Sequence, residues 1–429
     1  MRIAHLSDLH YGTRMLQEAD RCLGHAIDRI ATLGIDVAVL SGDATDHALE
    51  LHAPAASRLL AQVRRLADHC PVLILQGTYS HEPPGTLDVF RTLGGRHPVH
   101  VADRIQQVAL TQAGHWVASA GWSFETVPAG AVAVFSCVPT VNKASVAAAV
   151  SGAQAVEALG EQLAALLAGF APMHRAARAR GLPTVGVSHG TVFGCLSEHG
   201  VPMAGFDHEF TTGALFAAQA QAFLLGHIHR HQAWRQDGLC GEQCIAYAGS
   251  IGRFHHGEQG DKGFLVWDVQ AQRAQCWLEP TPARRTVDIM FEGRPDLEAL
   301  RVAAANQMVP GASVRVRWTI AEEDRGAVDR DAMLRILDGA ADVQLEGRIV
   351  PLARARAPGI SQLPQLADQV RAWAQTVQVA ADPLQRCLAA LAADSPEDIA
   401  ARILSRASDD AAAQPSAPQN LVRDVATVC

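Results

Sequence analysis

The sequence predicts an α/β fold of mostly parallel strands covered by helices, followed by a smaller α+β unit and terminal helices. Three observations carry this. Short apolar runs alternate with stretches of helical periodicity, and each run ends in a cluster of polar residues. Near Arg284 the texture changes, and alternating strands replace the continuous apolar runs. Beyond Pro351 only amphipathic helical patterns remain.

Arg2 to Leu6 is the first apolar run, and it ends in Ser7, Asp8, Leu9 and His10. A helix follows to Leu33, with Cys22, Leu23, Ala26, Ile27 and Ile30 at helical spacing, and Gly34 stops it. Val37 to Leu40 ends in Ser41-Gly42-Asp43, and a second helix spans about Ala53 to Ala67. Val72 to Leu75 ends in Gln76-Gly77-Thr78-Tyr79-Ser80-His81-Glu82. Val99 to Val138 reads as short strands at a sheet edge, and an alanine-rich helix pair runs from about Ala144 to Arg180. Val185 to Gly190 and Gln221 to His229 repeat the pattern of apolar run and polar end; Tyr247 to Ser250 and Gly263 to Trp267 close the domain. The α+β unit has strands at Thr286–Phe291, Ser313–Ile320 and Val343–Val350, with helices at Asp296–Gln307 and Ala327–Ala340. The expected divisions are 1–283, 284–355 and 356–407, with 408–429 as a flexible tail rich in Asp, Ala, Pro and Gln.

The 429 residues exceed one typical core, and 48% apolar with 19% charged residues is an ordinary soluble composition. No apolar stretch reaches the ~18 residues of a membrane span. Asp8 and His10 interrupt any signal-peptide core, so a cytoplasmic location is expected. Nine cysteines without framework spacing suit a reducing compartment; Cys240 and Cys244 form a C-x3-C with no second pair to complete a zinc site. A net charge of −8 leaves no global basic footprint, so any nucleic-acid contact must come from local patches.

The polar ends carry the chemistry. In open parallel sheets, reactive groups gather beyond the C-terminal ends of strands. Here those ends supply Asp8 and His10, Asp43, Ser80 and His81, His189, then His227 and His229. His227 and His229, two apart on extended chain, point the same way. Singly, each residue is equally a cap or turn group; jointly, five successive strand ends with ligand-type residues describe a metal site. Mixed carboxylate and imidazole donors suit Mn2+, Fe2+ or Zn2+ better than the all-oxygen sites of Ca2+ or Mg2+. Their number exceeds one ion's needs and fits two ions ~3.5–4 Å apart, an arrangement that activates water and clamps the oxygens of a phosphate ester.

DLH, GD, SH, VSHG and GHIH, in this order over roughly Met1 to Asp268, resemble the calcineurin-like metallophosphoesterase superfamily. GHIHRHQ, YAGSIGR and GEQGDKGF resemble its SbcD-type DNA repair exonuclease branch. The resemblance implies a β-sandwich flanked by helices, a small DNA-facing cap and C-terminal helices that dock an SbcC-type coiled-coil ATPase. It implies one metal on Asp8, His10 and His229, and another on His189, His227 and the residue at Ser80, with Asp43 bridging. It also implies His81 beside the scissile phosphate, where an imidazole suits proton transfer near neutral pH. Mn2+ is the expected ion, with Mg2+, Fe2+ or Zn2+ as alternatives, and a homodimer the expected assembly. The chain departs from the family's GN-H-D/E motif: alignment on His81-Glu82 puts Ser80, a poorer donor, where Asn is usual.

Tyr11 is either a stacking partner for a base or a plain surface residue, and Arg253 a phosphate contact. Arg315 and Arg317 share one strand face, suited to phosphate contacts or simply solvated. Asp207 and Glu209 read as bracing the rim or capping a helix. The resulting expectation is a DNA exo- and endonuclease. Its rivals are a phosphodiesterase for small nucleotides and a non-catalytic nucleic-acid scaffold.

Overall fold

The computed structural model describes residues 1–50, 52–140, 152–203, 209–238, 241–307, 309–351 and 359–412. Asp207, Cys240, the start of the helix pair near Ala144 and the tail beyond 412 lie outside them. The chain divides into two compact units, Met1–Val350 and Pro351–Cys429.

The strands are β1 (Arg2–Leu6), β2 (Val37–Leu40), β3 (Val72–Leu75), β4 (Val99–Ala102), β5 (Gln106–Thr111), β6 (Trp116–Ala118), β7 (Ala131–Val138), β8 (Thr184–His189) and β9 (Thr191–Val192). They continue with β10 (Glu209–Phe210), β11 (Ala222–Gly226), β12 (Gln232–Gly238), β13 (Gly241–Tyr247), β14 (Gly263–Val269), β15 (Ala274–Pro280), β16 (Thr286–Glu292), β17 (Ser313–Ala321) and β18 (Asp342–Val350). One six-stranded sheet has the order β15-β14-β1-β2-β3-β4, and one seven-stranded sheet the order β12-β13-β11-β8-β7-β5-β6. β1 to β4 run parallel, as do β7, β8, β11 and β13.

Continuous apolar strands need cover on both faces, and here they have it. Ile3, Val39, Leu73 and Leu75 of the first sheet meet Phe135, Val187, Leu224 and Cys244 of the second in a core between the sheets. On the outer face of the first sheet, Leu6, Leu40 and Ile74 pack on the helices Leu16–Ile30 and Pro54–Ala67. On the outer face of the second, Val138, Phe223 and Leu225 pack on the helices Gly152–Gly169 and Thr212–Ala217. The result is a β-sandwich flanked by helices. Of the strands in Val99–Val138, β4 and β6 lie at sheet edges as expected, but β7 lies between β5 and β8, because both its faces are apolar and each meets a core.

β16, β17 and β18 form a separate parallel sheet whose apolar face (Val287, Ile289, Val314, Val316, Trp318) packs on the helices Leu297–Asn306 and Arg330–Ile336. The unit after Val350 contains the helices Leu366–Thr376, Ala381–Ala393 and Pro396–Ala412. Gln385 ties the first two by donating to the Ala367 carbonyl at 2.6 Å. No described helix is long and apolar enough to cross a membrane.

Candidate metal centre

The backbone brings the ligand loops together before any side chain acts. Beyond β1 and β2 the two chains stay zipped: Asp8 N donates to Gly42 O (3.1 Å), His10 N to Asp43 O (3.0 Å) and Tyr11 N to Ala44 O (3.0 Å). Two glycines permit this crowding. A Cβ on Gly42 would lie 2.3 Å from His189 Nδ1, and one on Gly77 would lie 2.2 Å from Asp43 Oδ1. Side-chain carboxylates lock the loops further. Glu82 Oε1 accepts from Ala44 N and its Oε2 from Gly77 N, both at 2.6 Å, tying the loop after β2 to the loop after β3. Asp8 accepts from His227 N at 3.1 Å, joining one sheet to the other. Asp8, His10, Asp43 and His227 all have positive φ, at 50°, 45°, 52° and 99°, and only two other described non-glycine residues do. Such strain persists where surrounding contacts enforce it and concentrates at functional sites.

Two clusters result. Donor atoms of Asp8, His10 and His229 lie within 4.8 Å of one another, as do those of Asp43, His189 and His227. The first sheet supplies the carboxylates and His10, and the second supplies the other three histidines. His10 Nε2 faces His229 Nε2 at 2.9 Å, and His189 Nε2 lies 3.2 Å from Asp43 Oδ2. The His189 Nδ1–H donates to the Ser41 carbonyl at 2.8 Å, which leaves Nε2 as the ligand nitrogen. Buried imidazole nitrogens turned toward one another and toward carboxylates fit divalent ions at both clusters.

The electrostatics of the metal-free protein agree. Burial, then the facing His229, push His10 well below the usual imidazole range. Burial opposes protonation of His229, but Glu258 and Asp8 outweigh it and raise that imidazole. Burial would also lower His189, yet Asp43 raises it to about 9, while His189 in turn holds Asp43 well below the carboxylate range. Burial and His189 lower His227 to about 4. Burial and Asp43 raise Glu82 to about 7.

His81 stands beside the first cluster, its ring 4.9 Å from that of His10 and edge-on. Its Nδ1 donates to the Asp46 carbonyl at 2.5 Å, so Nε2 is the nitrogen outside that bond. Ser80 is exposed in a turn and corrects the sequence expectation. Thr78 takes its place: its hydroxyl donates to Asp43 Oδ2 at 3.1 Å and lies 3.2 Å from His189 Nε2. Reading forward from Gly77, instead of back from His81, reaches this residue.

Tyr11 also departs from expectation as a nucleic-acid contact. It is fully buried between the loops, and its hydroxyl donates to Asp20 at 3.2 Å. Arg253 donates to the carbonyls of Gly260 and Arg284. Arg315 and Arg317 both pair with Asp288, at 2.8 and 2.6 Å. Arg253 and Arg315 line a groove of about 930 Å³ with Arg14, Arg284, Asp342 and Glu346. Phe254 and His255 join that groove to the site, Phe254 edge-on to His10 at 5.6 Å and His255 stacked on His229 at 5.9 Å.

Sequence reasoning gave no role to Glu258 or Lys262, although both fall in the GEQGDKGF segment. Lys262 is buried, pairs with Glu258 at 2.5 Å and donates to the His229 carbonyl at 2.6 Å. Glu258 Oε1 accepts from His255 N at 2.8 Å and stands 3.7 Å from His229 Nδ1, an ion-pair distance. Together they bracket His229 from behind.

No family model and no curated protein matches the chain. Among solved structures 72 chains match. One is the crystal structure of a dimetal phosphatase from Danio rerio, 10% identical, with 65% of this chain and 98% of that one covered at a TM-score of 0.38.

Proposed function

We propose that the protein is a two-metal phosphodiesterase of the calcineurin-like metallophosphoesterase type that cleaves DNA in the manner of SbcD-type nucleases. The observation that carries the phosphoesterase reading is the pairing of two buried Asp/His clusters, Asp8-His10-His229 and Asp43-His189-His227, with His81 at their edge. Two divalent ions there, Mn2+ foremost, would polarise a phosphodiester and favour ionisation of water at neutral pH. The chain's own residues do the rest. Asp43, beside both Thr78 and His189, anchors the second cluster, and its role as a bridge to the first rests on the motif resemblance. Glu82 and the Glu258–Lys262 pair fix the loops that carry the ligands. His81 Nε2 neutralises charge on the phosphate or gives a proton to the leaving oxygen.

DNA as substrate rests on the motif resemblance and is supported by Arg14, Arg253, Arg284 and Arg315 along the groove. An SbcC-type ATPase as partner is supported by the exposed apolar side chains Leu366, Trp373, Leu391 and Ile403 on the C-terminal helices. A homodimer and a cytoplasmic location belong to the same reading. A second reading, a phosphodiesterase for small nucleotides, is favoured by Asp288, which engages both Arg315 and Arg317 and offsets part of their charge, and by Asp342 and Glu346 lining the same groove.

The deciding experiment is degradation of end-labelled linear duplex with Mn2+, Mg2+ or chelator, with Asp43→Ala and His81→Ala as controls. Mn2+-dependent loss of label, abolished by both substitutions, is the expected result. Hydrolysis of bis-nitrophenyl phosphate with intact DNA would transfer the assignment to small phosphodiesters. No turnover of either substrate with any metal would overturn the enzyme reading.

A further inference from the structure

Cys244 and Cys276 belong to opposite sheets, yet their sulfurs lie 3.9 Å apart. Cys244, on β13, is buried in the core between the sheets. Cys276, on the edge strand β15, is half-buried against the same core. Both sit at the end of the sandwich remote from the ligand loops. Cys244 aligns with Ala222 at the start of β11, whereas His227 follows that strand's end. Cys276 aligns through Trp267 with Ile3 at the start of β1, whereas Asp8 follows that strand's end. Cys276 lies 32 residues from Cys244 in sequence, and the fold brings the two sulfurs together.

The surroundings suit thiol chemistry. Arg235 stands directly opposite Cys244 on β12 and is exposed, and of the two cysteines the half-buried Cys276 is the one that reaches solvent. Hydrogen bonds from the Cys276 thiol and the Arg235 guanidinium hold the Cys244 thiol below its ordinary range. The bond to Cys244, with burial, pushes Cys276 up. A thiol next to a cation is a better source of thiolate, and thiolate is the nucleophile.

We propose that Cys244 and Cys276 form a reversible disulfide on exposure to a peroxide, tying the two sheets of the sandwich together. The Cys244 thiolate attacks one peroxide oxygen and the O–O bond breaks. The departing hydroxide takes up the thiol proton and leaves as water, with Cys244 now a sulfenic acid. The Cys276 sulfur then attacks the sulfenic sulfur: an S–S bond forms, the S–O bond breaks, and the hydroxide leaves with the Cys276 proton as a second water. Two thiols are oxidised by two electrons and one peroxide is reduced to two waters. The sulfurs must approach by about 2 Å to reach bonding distance. An edge strand such as β15, held by one neighbour only, can supply that movement.

The test uses the full chain, treated with stoichiometric hydrogen peroxide, alkylated and mapped without reduction. The expected result is a linked peptide pair containing Cys244 and Cys276, two hydrogens lighter and released by dithiothreitol. A thermal midpoint a few degrees higher should accompany it, because the link closes a loop of the unfolded chain. In Cys276→Ser both signals should vanish, and dimedone should trap a sulfenic acid at Cys244. The proposal is overturned if both cysteines stay fully alkylated while the exposed Cys387 oxidises, or if Cys276 proceeds to the sulfonic acid without a link. Should Cys276→Ser fail to fold, the peptide map of the unsubstituted chain decides alone.

Discussion

His10 and His229 are 219 residues apart in sequence, yet their Nε2 atoms face each other at 2.9 Å across the junction of the two sheets. Two ring nitrogens at that distance share one proton, and a metal ion that binds both must displace it. Metal uptake by the apo-protein should therefore release protons and weaken as the pH falls. Calorimetric titration with Mn2+ in buffers of different ionisation enthalpy reads both effects. His229→Ala should lose more than ~100-fold in affinity, the upper range for substitutions of outer partners of metal ligands.

His189 gives the metal-free protein its own pH signature. Its folded value of about 9 lies above the ordinary 6.5, so the fold favours the protonated form. The stabilisation is complete below the ordinary value and is lost as pH rises through about 9. The thermal midpoint of the apo-protein should fall between neutral pH and about pH 10. With ions bound, His189 must be unprotonated already, and the fall should disappear.

Thr78 and Ser80 separate the structure from the motif alignment. Ser80→Ala changes an exposed turn residue, so activity and stability should stay within about 0.5 kcal/mol of the original. Thr78→Ala removes a hydroxyl in contact with Asp43 and His189 and should cost about tenfold in metal affinity or turnover. Equal effects from the two substitutions would contradict the geometry.

Removing Glu258 should leave Lys262 as a buried charge without its partner. Glu258→Ala should lose about 3–5 kcal/mol in urea unfolding. Pairing it with Lys262→Met should restore much of that loss while leaving His229 without its bracket. Stability and metal affinity would then diverge.

Tyr11→Phe deletes only the bond to Asp20. It should cost about 1 kcal/mol of stability and leave affinity for any nucleic acid unchanged.

The residues of the two clusters were legible in the sequence because each follows an apolar run whose strand direction is fixed by the sheet. Asp8, Asp43, His189 and His227 needed only that rule. The two-sheet arrangement was legible from the resemblance alone, since periodicity does not say which strands pair. Thr78 was missed because alignment from His81 assumes that a loop keeps its length. Tyr11 looked accessible because burial between two zipped loops leaves no periodic trace. Glu258 and Lys262 were in view as letters, but an i,i+4 charge pair in a loop usually means solvent, and only packing reveals otherwise.

The order in which the site is written along the chain has a consequence for biosynthesis. At about 5–20 residues per second, the interval between synthesis of His10 and of His229 is roughly 10–40 s. Until His229 is made, Asp8, His10 and Asp43 lack the full set of three imidazoles from the second sheet. A chain shorter than that offers any passing ion only part of the two clusters, and commitment to a metal waits until the second sheet closes. On the proposed reading, the ion taken up is set by what the closed site meets, and expression in media of different metal content should change the metal recovered.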